Sequence, residues 1–141
     1  TKATISNIVQ DLLQQNLVLE IGSAKTAMGR KPILLEFQKN CGYALAIDVR
    51  PNQIITLAAN LKGENCKVQE YAFYQDQELL PLLKEIIAGQ IAKYSHIPYG
   101  IVGIAVGIYG VVNNNRILLP PTIHCLRLNW DKFWKISSIY L

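Results

Sequence analysis

Between Gly42 and Gly110 the chain sets apolar runs and turn residues in an order that few folds accommodate. "GYALAIDV" (Gly42–Val49) is a nearly continuous apolar run ending in a carboxylate. The turn "RPNQ" leads to "IITLAAN" (Ile54–Asn60), and "LKGE" leads to "CKVQEYAF" (Cys66–Phe73). Pro51-Asn52 and Lys62-Gly63 are hairpin punctuation. The period then changes. From Glu78 to Tyr94, Leu79, Leu82, Leu83, Ile86, Ile87 and Ile91 repeat at helical spacing, and Pro81 sits in the first turn, where its missing N–H costs little. "IVGIAVGIYG" (Ile101–Gly110) reads as a buried strand running into the loop "VVNNN". Three hairpin-linked strands, one helix and another strand predict an α+β or α/β unit.

A second unit precedes it. In "TKATISNIVQDLLQQNLV", Ile5, Ile8, Val9, Leu12 and Leu13 lie on one face of a 3.6-residue period, and Thr1 can cap the helix. Ala3, Asn7, Gln10 and Gln14 fall opposite, flanked by Thr4, Ser6 and Asp11. Amide and hydroxyl groups of this size can meet base-edge donors and acceptors, and the Ala3 methyl can meet a thymine methyl. A plain amphipathic surface helix shows the same pattern, so the helix alone does not separate the two readings. The segment behind the helix favours DNA. Leu17, Leu19 and Ile21 alternate as a strand, Gly22–Arg30 reads as a loop, and Lys31–Phe37 as a second strand. Helix, strand, basic loop, strand is the back half of a winged helix, in which the helix enters the major groove and the wing reaches backbone or minor groove. Arg30 and Lys31, between Gly29 and Pro32, suit phosphate or narrow-groove contact.

The net charge of +4 permits a nucleic-acid partner without requiring one. It is spread evenly, because residues 1–40 carry five Lys and Arg against three Asp and Glu. Cys41, Cys66 and Cys125 are odd in number and form no C-x-x-C pair, which points to a reducing compartment. The longest apolar stretch, Ile101–Val112, is broken by glycines and too short to span a bilayer. The expectation is a cytoplasmic protein.

In order and spacing, "ATISNIVQDLLQQNLVLEIG", "GRKPILLEF", "GYALAIDV", "LKGE", "VGIAVGIYGVVN" and the Pro120–Trp130 stretch resemble the ROK family of sugar-responsive repressors and sugar kinases, in its repressor form. The resemblance covers essentially the whole chain. It implies a partial winged helix over residues 1–37, made of a recognition helix and a wing hairpin. Over residues 38–141 it implies the first half of a ribonuclease-H-like domain of the actin and hexokinase type. The family's recognition helix corresponds to Lys2–Gln14, so Lys2, Ala3, Thr4, Ser6, Asn7 and Gln10 inherit a DNA-facing role, and Arg30 and Lys31 the wing's. The Gly-x-Pro-Gly turn near the family's sugar pocket corresponds to Gly107-Ile108-Tyr109-Gly110. That makes Gly110, Asn113 and Thr122 candidate effector contacts, although an ordinary strand-to-loop turn reads the same way.

Kinase members carry Asp-Ile-Gly-Gly-Thr at a phosphate-binding turn. This chain has Asp48-Val49-Arg50-Pro51-Asn52, in which Pro51 removes an N–H from the phosphate cradle. No enzymatic activity and no catalytic residue are therefore expected, and Asp48 reads as a turn residue before it reads as a magnesium ligand. His124 and Cys125, adjacent and without a second pair, make a poor metal site. The family's zinc motif would fall downstream of Leu141, so zinc is expected only in a full-length parent. The winged helix's first two helices would precede Thr1. The expectation is a segment of a longer regulator of carbohydrate-utilisation genes, binding operator DNA and a sugar effector and associating as a homodimer. The alternatives are a degenerate sugar kinase and an association module without DNA binding.

Overall fold

The computed structural model describes residues 2–23, 32–74, 78–108, 111–113 and 116–119. Helix α1 (Lys2–Gln14) opens the chain, and its C-terminus is built by Asn16. Asn16 takes φ 57°, its N–H donates to the Leu13 carbonyl at 3.0 Å, and the Leu17 N–H donates to the Leu12 carbonyl at 3.0 Å. This is a Schellman closure with asparagine in the left-handed position, where its short polar side chain eases the Cβ penalty. Replacing Asn16 by alanine is expected to cost about 1 kcal/mol, while Asn16→Gly costs nothing or stabilises. Urea midpoints of the two variants, compared at equal slope, check this.

Strands β1 (Val18–Ser23) and β2 (Ile33–Phe37) pair antiparallel, with Val18 opposite Phe37. The register shifts between Glu20 and Gly22, and Gly22 adopts φ 122°, which a side chain rarely tolerates. The first strand thus runs two residues, Gly22 and Ser23, into the stretch read as loop, and the second starts at Ile33, after Pro32.

The second unit holds β3 (Tyr43–Val49), β4 (Gln53–Asn60), β5 (Lys67–Ala72), α2 (Leu79–Tyr94) and β6 (Ile101–Ile108). The sheet order is β5-β4-β3-β6. β3 pairs antiparallel with β4 and β4 with β5, whereas β6 lies parallel to β3. A parallel return requires a crossover, and α2 supplies it. A short antiparallel pair comes next, β7 (Val111–Asn113) with β8 (Arg116–Leu119).

One face of the sheet makes the core. Tyr43, Leu45, Ile47 and Val49 of β3, Ile54 and Ala58 of β4 and Phe73 pack with Leu79, Leu83, Ile86, Ile87 and Tyr94 of α2. The Tyr43 and Tyr94 rings tilt against each other at a centroid distance of 4.6 Å, and burial, more than the neighbouring Tyr43, raises the Tyr94 phenol's pKa. The helix departs from its apolar pattern at one position. Gln90 is buried while Leu82 and Ile91 are half-buried, because the Gln90 amide donates to Gln69 Oε1 at 2.7 Å and to the Tyr71 hydroxyl at 3.1 Å on β5. A buried amide is tolerated when it is bonded.

The strand read as buried, residues 101–110, is covered on one face only among the described residues. Ile101 is buried, but Val102 is 49% exposed. Ala44, Ala46, Leu57, Ala59, Gly103 and Ala105 line a shallow apolar groove on the side away from α2. A strand's apolar run records what both faces can bury, not what covers them here.

Candidate nucleic-acid interface

Helix α1 presents both its faces to solvent. Asn7 and Gln10 are exposed on the polar side, with Thr4, Ser6 and Asp11. On the apolar side Ile5 and Ile8 are 65% and 53% exposed, while Val9, Leu12 and Leu13 are half-buried. Lys2 and Ala3 occupy the first two helical positions. The proposed reading residues therefore share one accessible helix, immediately ahead of the β1–β2 hairpin. Arg30 and Lys31, between β1 and β2 in sequence, lie outside the described residues, which flank them at Ser23 and Pro32.

The hinge between the units is bonded through its backbone. The Gln38 N–H donates to the Leu17 carbonyl at 2.9 Å, the Cys41 N–H to the Gln38 carbonyl at 3.1 Å, and the Leu61 N–H to the Lys39 carbonyl at 3.0 Å. Asn60, buried, organises the neighbouring turn. Its Oδ1 accepts from the Lys62 and Glu64 N–H groups at 3.1 and 2.9 Å, and its Nδ2 donates to Asn40 Oδ1 at 2.9 Å. Lys39 Nζ meets Glu64 Oε2 at 2.6 Å; this hydrogen bond and the ammonium charge hold the Glu64 carboxyl below its ordinary pKa. Both groups are exposed, so the pair contributes little to stability.

Gly110 and Thr122 lie outside the described residues, as do His124 and Cys125. Asn113 closes β7 opposite Arg116. On the sheet, Asp48 sits opposite Gly107, and its Oδ2 accepts from Arg50 Nε at 2.7 Å with both side chains half-exposed. The carboxylate is thus taken up by the residue standing where a phosphate turn would need a glycine. Among the described residues, no three His, Cys, Asp or Glu side chains group as metal ligands would, and no helix is long and apolar enough to cross a membrane.

Sequence reasoning missed three residues that shape this region: Asn16, Gln90 and Tyr99. Asn16 carried a usable signal, an asparagine just past the last apolar-periodic residue of a helix. Gln90 and Tyr99 carried none, since their partners lie far along the chain.

The α+β arrangement places the chain in a known class. It superposes on the crystal structure of a ROK family transcriptional regulator, a homologue of the E. coli MLC protein, with a TM-score of 0.63 and 19% identity over 98% of this chain and 36% of that one. The chain thus has the fold of a ROK regulator, in keeping with the resemblance of its motifs.

By sequence it is a homologue of xylose repressors. It is 34% identical over 128 residues to the xylose repressor of Caldicellulosiruptor bescii, covering 86% of this chain and 32% of that protein. It is 31% identical over 123 residues to that of Bacillus spizizenii (85% and 32%), and 28% identical over 142 residues to that of Bacillus subtilis (98% and 35%). The chain spans about a third of the length of these relatives. No family model matches it.

Proposed function

We propose that this chain is the DNA-reading and hinge segment of a sugar-responsive transcriptional repressor of carbohydrate-utilisation genes. The observation that carries the reading is the open polar face of α1, set directly before a hairpin in a chain homologous to xylose repressors. Residues 1–37 are the rear of a winged helix: Lys2, Ala3, Thr4, Ser6, Asn7 and Gln10 face the major groove, while Arg30 and Lys31 meet phosphates. Residues 38–141 begin a ribonuclease-H-like lobe, for which the order β5-β4-β3-β6 with an α2 crossover is the supporting feature. Gly110, Asn113 and Thr122 line the sugar's approach. Two copies place two helices in successive major grooves about one DNA turn apart, and sugar binding shifts the balance between DNA-competent and incompetent dimers. Coupling of this kind is typically about 1–3 kcal/mol. The role is binding, not catalysis, as the names of the homologous repressors suggest.

The test uses a longer repressor carrying this segment and an operator selected from random duplexes. Arg30→Ala or Lys31→Ala should each lower the slope of log affinity against log salt by about one unit. Asn7→Ala should instead relax preference among sequences and leave the slope unchanged. Should all three variants match the parent on operator and random DNA alike, the assignment is lost.

A further inference from the structure

The Schellman closure of α1 satisfies the Leu12 and Leu13 carbonyls, and the Gln15 N–H donates to the Asp11 carbonyl. The Gln15 carbonyl, just past the helix end, is among the groups a helix C-terminus leaves without an internal partner. The Tyr99 hydroxyl donates to it at 2.8 Å, across 84 residues of sequence. The Tyr99 ring is 42% exposed, but the backbone that carries it is held. Its N–H donates to the Cys41 carbonyl at 2.8 Å, and the next residue, Gly100, turns at φ 55° with its carbonyl accepting from the Tyr43 N–H at 2.9 Å. Beneath it the chain passes closely. A Cβ on Gly42 would meet Val102 Cγ1 at 2.8 Å and Tyr99 Cβ at 3.4 Å, so a side chain there would have to displace Val102. The turn bearing Tyr99 joins α2 to β6, and both its ends belong to the core unit. A second side chain also reaches the first unit, Lys62, but its ammonium stands 3.9 Å from Glu36 with both groups exposed. Such a pair sets little.

We propose that Tyr99 is the positioning residue of α1. Its hydroxyl, fixed by the sheet unit, caps the helix and holds it at one attitude to β3–β6. The consequence for DNA reading rests on the function proposed above; the mechanical role does not. A shift of the α2–β6 turn would move the end of the reading helix directly, without passing through the hinge.

The measurement is a spin-label distance distribution between Asp11→Cys and Lys84→Cys, both exposed sites. It is made on the 141-residue chain with Cys66 and Cys125 replaced by serine and Cys41 left in place, diluted with unlabelled chain. One narrow distribution is expected for the parent and for Lys62→Met, and a broadened distribution with a second component for Tyr99→Phe. A Tyr99→Phe distribution that superimposes on the parent's overturns the proposal. So does a lower melting temperature with an unbroadened distribution, which is what a residue adding only stability would give. A broad distribution in the parent overturns it too. If Tyr99→Phe broadens the distribution but leaves operator affinity of the longer repressor unchanged, the latch stands and the reading role of α1 is what fails.

Discussion

The 141-residue chain, prepared by itself, is expected to sediment as a dimer or larger assembly at micromolar concentration and to bind operator DNA poorly. Ile5 and Ile8 on α1, Ile21 on β1, Ile33, Leu34, Leu35 and Phe37 on β2 and Val102 on β6 are all at least 41% exposed. Each fully covered side chain of this kind contributes about 1.5–3 kcal/mol. Covering a handful yields a gross gain of the order of the 4–15 kcal/mol that association costs in lost freedom. Exposed apolar side chains in this number drive association. DNA reading suffers for a related reason. A recognition helix must be supported along its whole length when it docks, and among the described residues β1 and the Tyr99 hydroxyl hold only the C-terminal end of α1, leaving Ile5 and Ile8 nearer its start uncovered. Sedimentation showing a monomer that binds an operator at nanomolar affinity would contradict both halves of this expectation.

Leu83→Ala is expected to cost about 2–5 kcal/mol, a large part of the 5–15 kcal/mol that holds a typical domain together. Leu83 has no exposed surface and sits at the centre of the α2 face, where Leu79, Ile86 and Ile87 surround its position on the helix and the β3 and β4 side chains close the other side. Its truncation leaves a cavity that the crossover cannot close without moving away from a sheet pinned by two antiparallel ladders and one parallel one. Val102→Ala serves as the comparison: at 49% exposure on the strand's open face, it should change stability by no more than about 0.5 kcal/mol. Urea unfolding of the three proteins, followed by circular dichroism, checks both. A Leu83→Ala midpoint indistinguishable from that of Val102→Ala would mean that the α2 face is not the core.

Element order and type were legible because they are local. The apolar spacing Ile5, Ile8, Leu12 is the helix α1, the nearly continuous apolar run to Val49 is β3, and the "LKGE" turn follows the end of β4. In each case a side chain's neighbours within four residues decide the backbone. The family resemblance was legible for the same reason, since it was carried by short runs in fixed order. Pairing was not. Nothing in "IVGIAVGI" says that it lies beside β3 and parallel to it, with its partner more than fifty residues back; α2 decides that by crossing one face of the sheet. Only the tertiary structure buries Gln90, by bringing Gln69 and Tyr71 to its amide, and only the tertiary structure sets the Tyr99 hydroxyl on the carbonyl that ends α1. A hydrogen bond needs a donor and an acceptor within about 3 Å at a definite angle, and between residues far apart in the chain that condition is met by the packing of the whole, not by either segment's own preference.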